Sequence, residues 1–68
     1  MEYVVIIEQG ETSFGAYVPD LPGCVAVGEN REEAMDLIRE AIELHIESLR
    51  EHGEPVPSPH SFVERVAV

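Results

Sequence analysis

The sequence predicts a small α+β domain in the order β-β-β-α-β, with one long helix packed on an antiparallel sheet. Two observations support this fold class. Short runs rich in β-branched and aromatic residues, separated by turns with Gly or Pro, fill the first 28 residues. Residues 31–51 then contain neither Gly nor Pro and are dominated by strong helix formers. A chain of 68 residues has room for one domain, so we treat residues 1–68 as a single unit.

The first strand is predicted over residues 2–8. Its side chains alternate between the two sides of the strand from Tyr3 to Ile7, and both sides are apolar. A strand that is apolar on both sides is typical of one that is covered on both faces. We therefore expect this strand to be central in the sheet.

Two further strands follow across turns. Gly10 lies in a short turn and is able to take a positive φ, so residues 13–18 are predicted to form an antiparallel hairpin with the first strand. Pro22 and Gly23 form a strong turn signal in which Gly23 is expected at positive φ. The third strand is predicted over residues 24–28.

The helix is predicted over residues 31–51. Asn30 is a favourable N-cap, and Glu33 stands three residues later, as in a capping box. Gly53 supplies the stop signal at the C-terminal end. Three prolines in residues 54–61 then predict an extended linker of about 25 Å, long enough to return along most of the helix. Residues 62–68, which read FVERVAV, are predicted to be the fourth strand.

The predicted helix has more apolar surface than one sheet covers. Its apolar residues span an arc of about 200°, roughly twice what packing on a single sheet requires. A domain this small also has little core of its own, and its one cysteine cannot form an internal disulfide. We therefore expect a homo-oligomer, a dimer or a tetramer, with candidate interface residues Leu44, His45, Phe62 and Val66.

The charge is strongly acidic. Fourteen acidic residues against four basic ones give a net charge of −10, which disfavours direct binding of nucleic acid and attracts basic partners. Glu40, Glu43 and Glu47 on the polar side of the helix are candidate partner-binding residues. The alternative interpretation of these glutamates is an ordinary solvated helix face.

The sequence predicts no catalytic, metal or cofactor site. His45 and His52 are about 10 Å apart along the helix and cannot bind one ion together. Cys24 is interpreted as a small buried apolar residue and Asp20 as a turn residue. The N-terminus has no apolar run of the length that a signal peptide or membrane span needs, so we expect a cytoplasmic protein without membrane contact.

Two motifs resemble one known family. Residues 16–24 read AYVPDLPGC, and residues 28–34 and 37–43 read GENREEA and LIREAIE. Together they resemble the HicB antitoxin family, which has a Y-x-x-x-L-P-G-C turn before a short strand and an E-E-A…A-I helix. The residues of this chain that match the turn motif or lie within it are Tyr17, Pro19, Asp20, Leu21, Pro22, Gly23 and Cys24.

The resemblance implies a fold and a function. The fold is a partial ribonuclease H-like β-β-β-α-β unit. The function is that of an antitoxin that covers the active site of a small basic HicA toxin ribonuclease. Longer family members carry a DNA-binding domain after this core, and we expect none in residues 1–68. The alternatives are an orphan oligomeric protein that keeps the fold without a toxin partner and, less favoured, a minimal metal-dependent nuclease.

Overall fold

The computed structural model describes residues 1–68 and has four elements. The strands are β1 (Ile6–Gln9), β2 (Phe14–Tyr17) and β3 (Val25–Gly28), and the helix is α1 (Arg31–Glu51). The strands form one antiparallel sheet in the order β1-β2-β3. The predicted α+β class is confirmed, with each of the three strands shorter than predicted.

The central strand is β2, so the prediction that the first strand is central was wrong. Ile7 of β1 pairs with Ala16 and packs against the core beneath α1. Ile6 pairs with Tyr17 on the opposite face of the sheet, which no other element covers. The two-sided apolar pattern therefore reflects an open sheet face. Gly10 turns without the positive φ that it is able to take, since positive φ occurs only at Gly23 and Gly53.

The helix has the bounds that the sequence predicts. Asn30 Oδ1 accepts a hydrogen bond from the Glu33 N–H at 2.8 Å, which caps the first turn. Glu33 Oε1 accepts in return from the N–H of Glu29 at 2.9 Å, one residue earlier than in a standard capping box. Gly53, at φ 66°, ends the helix. α1 is too polar to cross a membrane.

The core lies between α1 and the sheet. Leu21 and Ile38 are its largest completely buried side chains. Gly28, the last residue of β3, lets the first turn of α1 approach the sheet closely, because a Cβ there would stand 2.5 Å from the backbone N of Ala34. The buried apolar residues of the core are Ala16, Val18, Leu21, Cys24, Ala34 and Ile38.

The linker after α1 returns to the sheet, but the predicted fourth strand is absent. The hydroxyl of Tyr3 donates to the carbonyl oxygen of Pro57, and Asp20 binds residues 60–61. Beyond that point residues 62–68, here called the tail, form no strand and make no hydrogen bond. Val63 and Arg65 of the tail line a cleft together with Ile6 and Ile7 of β1 but form no hydrogen bond with that strand.

Candidate partner-binding surface

The motif turn, residues 19–24, is closed by its own backbone. The N–H of Leu21 donates to the carbonyl of Val18 at 3.1 Å, and the N–H of Cys24 donates to that of Leu21 at 3.1 Å. The N–H of Val18 donates back to Cys24 at 3.2 Å. Gly23 has φ 84°, as expected, a conformation that residues with a Cβ adopt at a cost. The motif thus builds a tight turn between β2 and β3.

The motif turn contributes side chains to the core. Leu21 and Cys24 are buried in the cluster beneath α1, whereas Pro22 and Gly23 are exposed. Burial raises the pKa of the Cys24 thiol, which favours its neutral form. Cys24 therefore behaves as the small apolar residue that the sequence predicts.

Asp20 is buried and holds the end of the linker, an arrangement that we call the Asp20 clasp. The residue as a whole is 2% exposed. Oδ2 accepts from the backbone N–H groups of His60 at 2.8 Å and Ser61 at 3.0 Å. Oδ1 accepts from the hydroxyl of Ser61 and lies 3.1 Å from His60 Nε2. Every lone-pair direction of this carboxylate is used for structure, so it is not free to bind a ligand.

The clasp favours the ionised form of Asp20. The hydrogen bond from the Ser61 hydroxyl lowers the pKa of Asp20 most; burial opposes it, while the backbone N–H groups of His60 and Ser61 and the charge of His60 lower it further. The net result is a pKa below the ordinary value of 3.8. A group whose pKa is lower when folded stabilises the fold above its unfolded pKa, and this stabilisation is lost as the pH falls through the folded pKa.

Asp20→Asn should therefore lower the melting temperature at neutral pH, and the deficit should shrink in acid. The asparagine amide cannot accept from four donors, so we expect the melting temperature to be lower by about 5 °C or more near pH 7. Below pH 3.8, the ordinary Asp20 pKa, the unfolded chain takes up the proton first and the advantage of the ionised clasp begins to shrink. The two melting temperatures should converge as the pH falls through the lower pKa of the folded state. Melting curves between about pH 7 and pH 3 test this, and a deficit that stays constant with pH would contradict it.

The polar side of α1 presents carboxylates around two exposed leucines. Glu40, Glu43 and Glu47 are exposed and have no ion-pair or hydrogen-bond partner; the one ion pair on the helix joins Asp36 and Arg39. Leu37 and Leu44, each within one turn of Glu40, are 37% and 65% exposed. We call these residues, Leu37, Glu40, Glu43, Leu44 and Glu47, the acidic helix face. The sequence pattern placed the leucines in the apolar arc, and it missed that the sheet leaves them uncovered.

A shallow groove runs beside the acidic helix face. It has a volume of about 430 Å³ and is lined by Ile42, Ile46, Glu43, Glu47 and Arg50. The two carboxylates can bind the charged end of a lysine or arginine whose stem packs on the isoleucines, whereas Arg50 would repel it. The lining thus carries charges of both signs around a small apolar patch.

The candidate oligomer residues lie on two different segments. His45 is half-buried and Leu44 exposed on α1, whereas Phe62 and Val66 of the tail are 89% and 83% exposed. The histidines do not cluster: His52 Nδ1 lies 2.7 Å from the carbonyl oxygen of Ser48, and His60 belongs to the clasp. No three His, Cys, Asp or Glu side chains are close enough together to hold a metal ion.

Comparison with known proteins gives one family. A family model described as the HicB-like antitoxin of bacterial toxin–antitoxin systems matches residues 3–67. A UPF0150 protein of Thermoplasma acidophilum is 45% identical over 58 residues, which cover 84% of each chain. The antitoxin HicB 2 of Photorhabdus laumondii is 32% identical over 94% of this chain and 49% of its own length.

The relatives differ in length. An uncharacterised protein of Haemophilus phage HP1 is 40% identical over 97% of this chain but only 50% of its own. The chain thus spans about half the length of the phage protein and of HicB 2. No solved structure matches the chain, so the ribonuclease H-like comparison stays a prediction.

Proposed function

The chain belongs to the HicB-like antitoxin family of bacterial toxin–antitoxin systems, and we propose that it neutralises a small basic HicA-like toxin ribonuclease. Family membership supports an antitoxin role and a toxin as the kind of partner. In this proposal the protein covers the active site of the toxin and catalyses nothing itself. It acts in the cytoplasm, without contacting nucleic acid directly, because its charge of −10 repels phosphate backbones.

The observation that supports this proposal most is the acidic helix face. Three carboxylates without ion partners surround two exposed leucines. Unpaired exposed carboxylates attract a basic protein over a distance and so raise its association rate. Exposed leucines give apolar contact once the partner has docked. The surface therefore combines long-range attraction with short-range burial.

Reversing the charge of Glu40, Glu43 and Glu47 to lysine should slow association with the toxin. The change takes the net charge from −10 to −4, because each replacement adds two units. We expect an association rate lower by about tenfold or more at low salt, and a wild-type rate that falls as salt is added. The three side chains are exposed and make no ion pair that the change would break, so the helix should survive. Stopped-flow mixing with a purified HicA-like toxin measures the rates.

A matched control separates the helix face from net charge alone. Glu2, Glu11 and Glu54 are also exposed, and their reversal to lysine changes the charge by the same six units. This variant should keep most of the wild-type rate. If both triple variants associate equally slowly, the helix contributes only net charge. If both associate at the wild-type rate, the toxin contacts another surface. If the wild type does not bind the toxin at all, the chain is better explained as an orphan protein.

A further inference from the structure

The outer edge of β1 is a free strand edge. β1 pairs only with β2, because the strand order is β1-β2-β3. The Gly10 N–H donates to the Ser13 carbonyl at 2.8 Å, and this pair continues the β1–β2 register. Hydrogen-bonded and non-bonded pairs alternate along an antiparallel ladder. Glu8 therefore bonds to β2, whereas the backbone N–H and carbonyl groups of Ile7 and Gln9 point away from it.

The second ladder of the sheet leads to the same alternation. The Val18 N–H donates to the Cys24 carbonyl at 3.2 Å, and this pair continues the β2–β3 register. Ala16, two residues earlier, therefore also bonds to β3, and its partner on β1, Ile7, is left facing outward. No hydrogen bond from a turn, from the linker or from the tail reaches these outward groups. They are available to a further extended strand.

A cleft lies beside this edge. Its volume is about 500 Å³, within the range of about 300–1,000 Å³ that is typical of ligand sites. It is bordered by β1 with the residues before it, by the start of α1 and by the tail. β3 is the other edge of the sheet, but none of its residues lines a cavity. The apolar lining residues of the cleft are Tyr3, Val5, Ile6, Ile7, Met35 and Val63.

The charge of the cleft is opposite to that of the rest of the chain. Its two other lining residues are Arg31 and Arg65, half of the four basic residues of the protein, and no acidic residue lines it. Neither arginine forms an ion pair, since the only arginine that does is Arg39. A guanidinium group without a partner, beside apolar side chains, matches a carboxylate on an otherwise apolar segment.

Acidic neighbours limit how much negative charge the cleft attracts. Glu32 and Asp36 line an adjoining hollow together with Arg31, and Glu64 adjoins Arg65 in the sequence. The chain as a whole carries a charge of −10, which repels a strongly acidic segment at long range. A segment with a single carboxylate among uncharged residues therefore fits this cleft better than an acidic run.

We propose that the free edge of β1 binds an extended segment of a partner protein, uncharged except for one carboxylate, as an added strand of the sheet. The backbone of the segment pairs with Ile7 and Gln9, its apolar side chains occupy the cleft, and its carboxylate binds the two arginines. This partner differs in chemistry from a basic toxin, which the acidic helix face attracts. The edge of β1 and the acidic helix face are separate surfaces, so each can be tested without the other.

A synthetic peptide of five residues, acetyl-Thr-Val-Glu-Val-Thr-amide, tests the proposal. Its β-branched residues favour extended structure, and it has one carboxylate. Titration of the protein amide chemical shifts by NMR measures its dissociation constant. Glutamine in place of the glutamate of the peptide should weaken binding by about threefold or more. Methylation of every backbone nitrogen keeps the side chains but removes the donors, and should weaken binding by about tenfold or more.

Variants of the protein locate the carboxylate. Arg31→Ala combined with Arg65→Ala should weaken binding of the glutamate peptide by about threefold or more and leave binding of the glutamine peptide unchanged. Arg50→Ala is the matched control, because Arg50 is also exposed and also without an ion pair but lies outside the cleft. It should bind both peptides as the wild type does. Weakening of both peptides to the same extent by the double variant would contradict the charge contact.

Hydrogen exchange locates the backbone contact. The amides of Ile7 and Gln9 should exchange about tenfold more slowly at a peptide concentration ten times the dissociation constant. The amide of Thr12 is the control, because it also makes no hydrogen bond but lies in the turn between β1 and β2. Its exchange rate should stay the same.

Three outcomes would overturn the proposal. Absence of chemical-shift changes at millimolar peptide would exclude the site. Equal binding of the methylated peptide would show that side chains bind without an added strand. Protection of Ile7 and Gln9 that rises with protein concentration in the absence of peptide would assign the edge to a second copy. The toxin is absent from all of these measurements, so their failure leaves the proposed antitoxin function untouched.

Discussion

Leu21→Ala should leave the protein largely unfolded at room temperature. Leu21 belongs to the motif turn, and its side chain is completely buried in the core. Deleting a buried leucine side chain destabilises a protein by about 2–5 kcal/mol. A single core in a chain of this length supplies only about 3–5 kcal/mol of net stability. Urea unfolding followed by helical circular dichroism, at one fixed protein concentration, measures the loss.

Leu44→Ala is the control for this experiment. It is the same chemical change at a side chain that is 65% exposed, so the free energy of unfolding should change by no more than about 0.5 kcal/mol. Equal unfolding midpoints for the Leu21 and Leu44 variants would show that the motif turn does not anchor the core. A large difference would explain why the motif contains a leucine at this position.

Gly28→Ala should separate the helix from the sheet. The new Cβ would stand 2.5 Å from the backbone N of Ala34 and 3.0 Å from its Cα. These atoms belong to the first turn of α1 and cannot rotate away, so the helix has to shift from β3. We expect the free energy of unfolding to fall by about 3 kcal/mol and the melting temperature to fall by more than about 10 °C.

Gly15→Ala is the matched control in the neighbouring strand. A Cβ at Gly15 meets no atom within 4 Å. Alanine also restricts the unfolded chain, so this variant should melt at the wild-type temperature or gain up to about 1 kcal/mol. If both alanine variants melt alike, the close approach of α1 to β3 at Gly28 does not contribute to stability.

The helix could be predicted to the residue because its signals are local. Asn30 and Glu33 mark its start within four positions, and Gly53 marks its end. The motif turn was predictable for the same reason, since Pro22 and Gly23 adjoin each other. Local sequence thus determines both of these features.

The strands were harder to predict because their pairing is not local. Residues 62–68 contain three valines and a phenylalanine, as strands often do, but composition does not say which edge a strand meets. The apolar side of β1 that carries Ile6 indicated burial, and the structure leaves that side open. Both errors concern contacts between segments that are distant in the sequence, which local patterns do not specify.

The Asp20 clasp was invisible in the sequence. Asp20 in a Pro- and Gly-rich turn is the pattern of an ordinary turn residue. Its partners, His60 and Ser61, lie 40 and 41 positions away. Nothing between the two segments marks them as neighbours, so only the three-dimensional structure shows that the motif turn also holds the C-terminal part of the chain.

The long sequence separation between Asp20 and its partners also indicates when the clasp forms during folding. Contacts between distant residues close late in folding, because a long loop has to be ordered before they form. The ladder bonds of the hairpin and of α1 are local and do not need the clasp. Opening it therefore releases residues 58–68, beyond the hydrogen bond from Tyr3 to Pro57, while the sheet and helix stay intact, a sub-global unfolding event. In hydrogen exchange, the amides of His60 and Ser61 would report this opening before any amide in the middle of α1 exchanges.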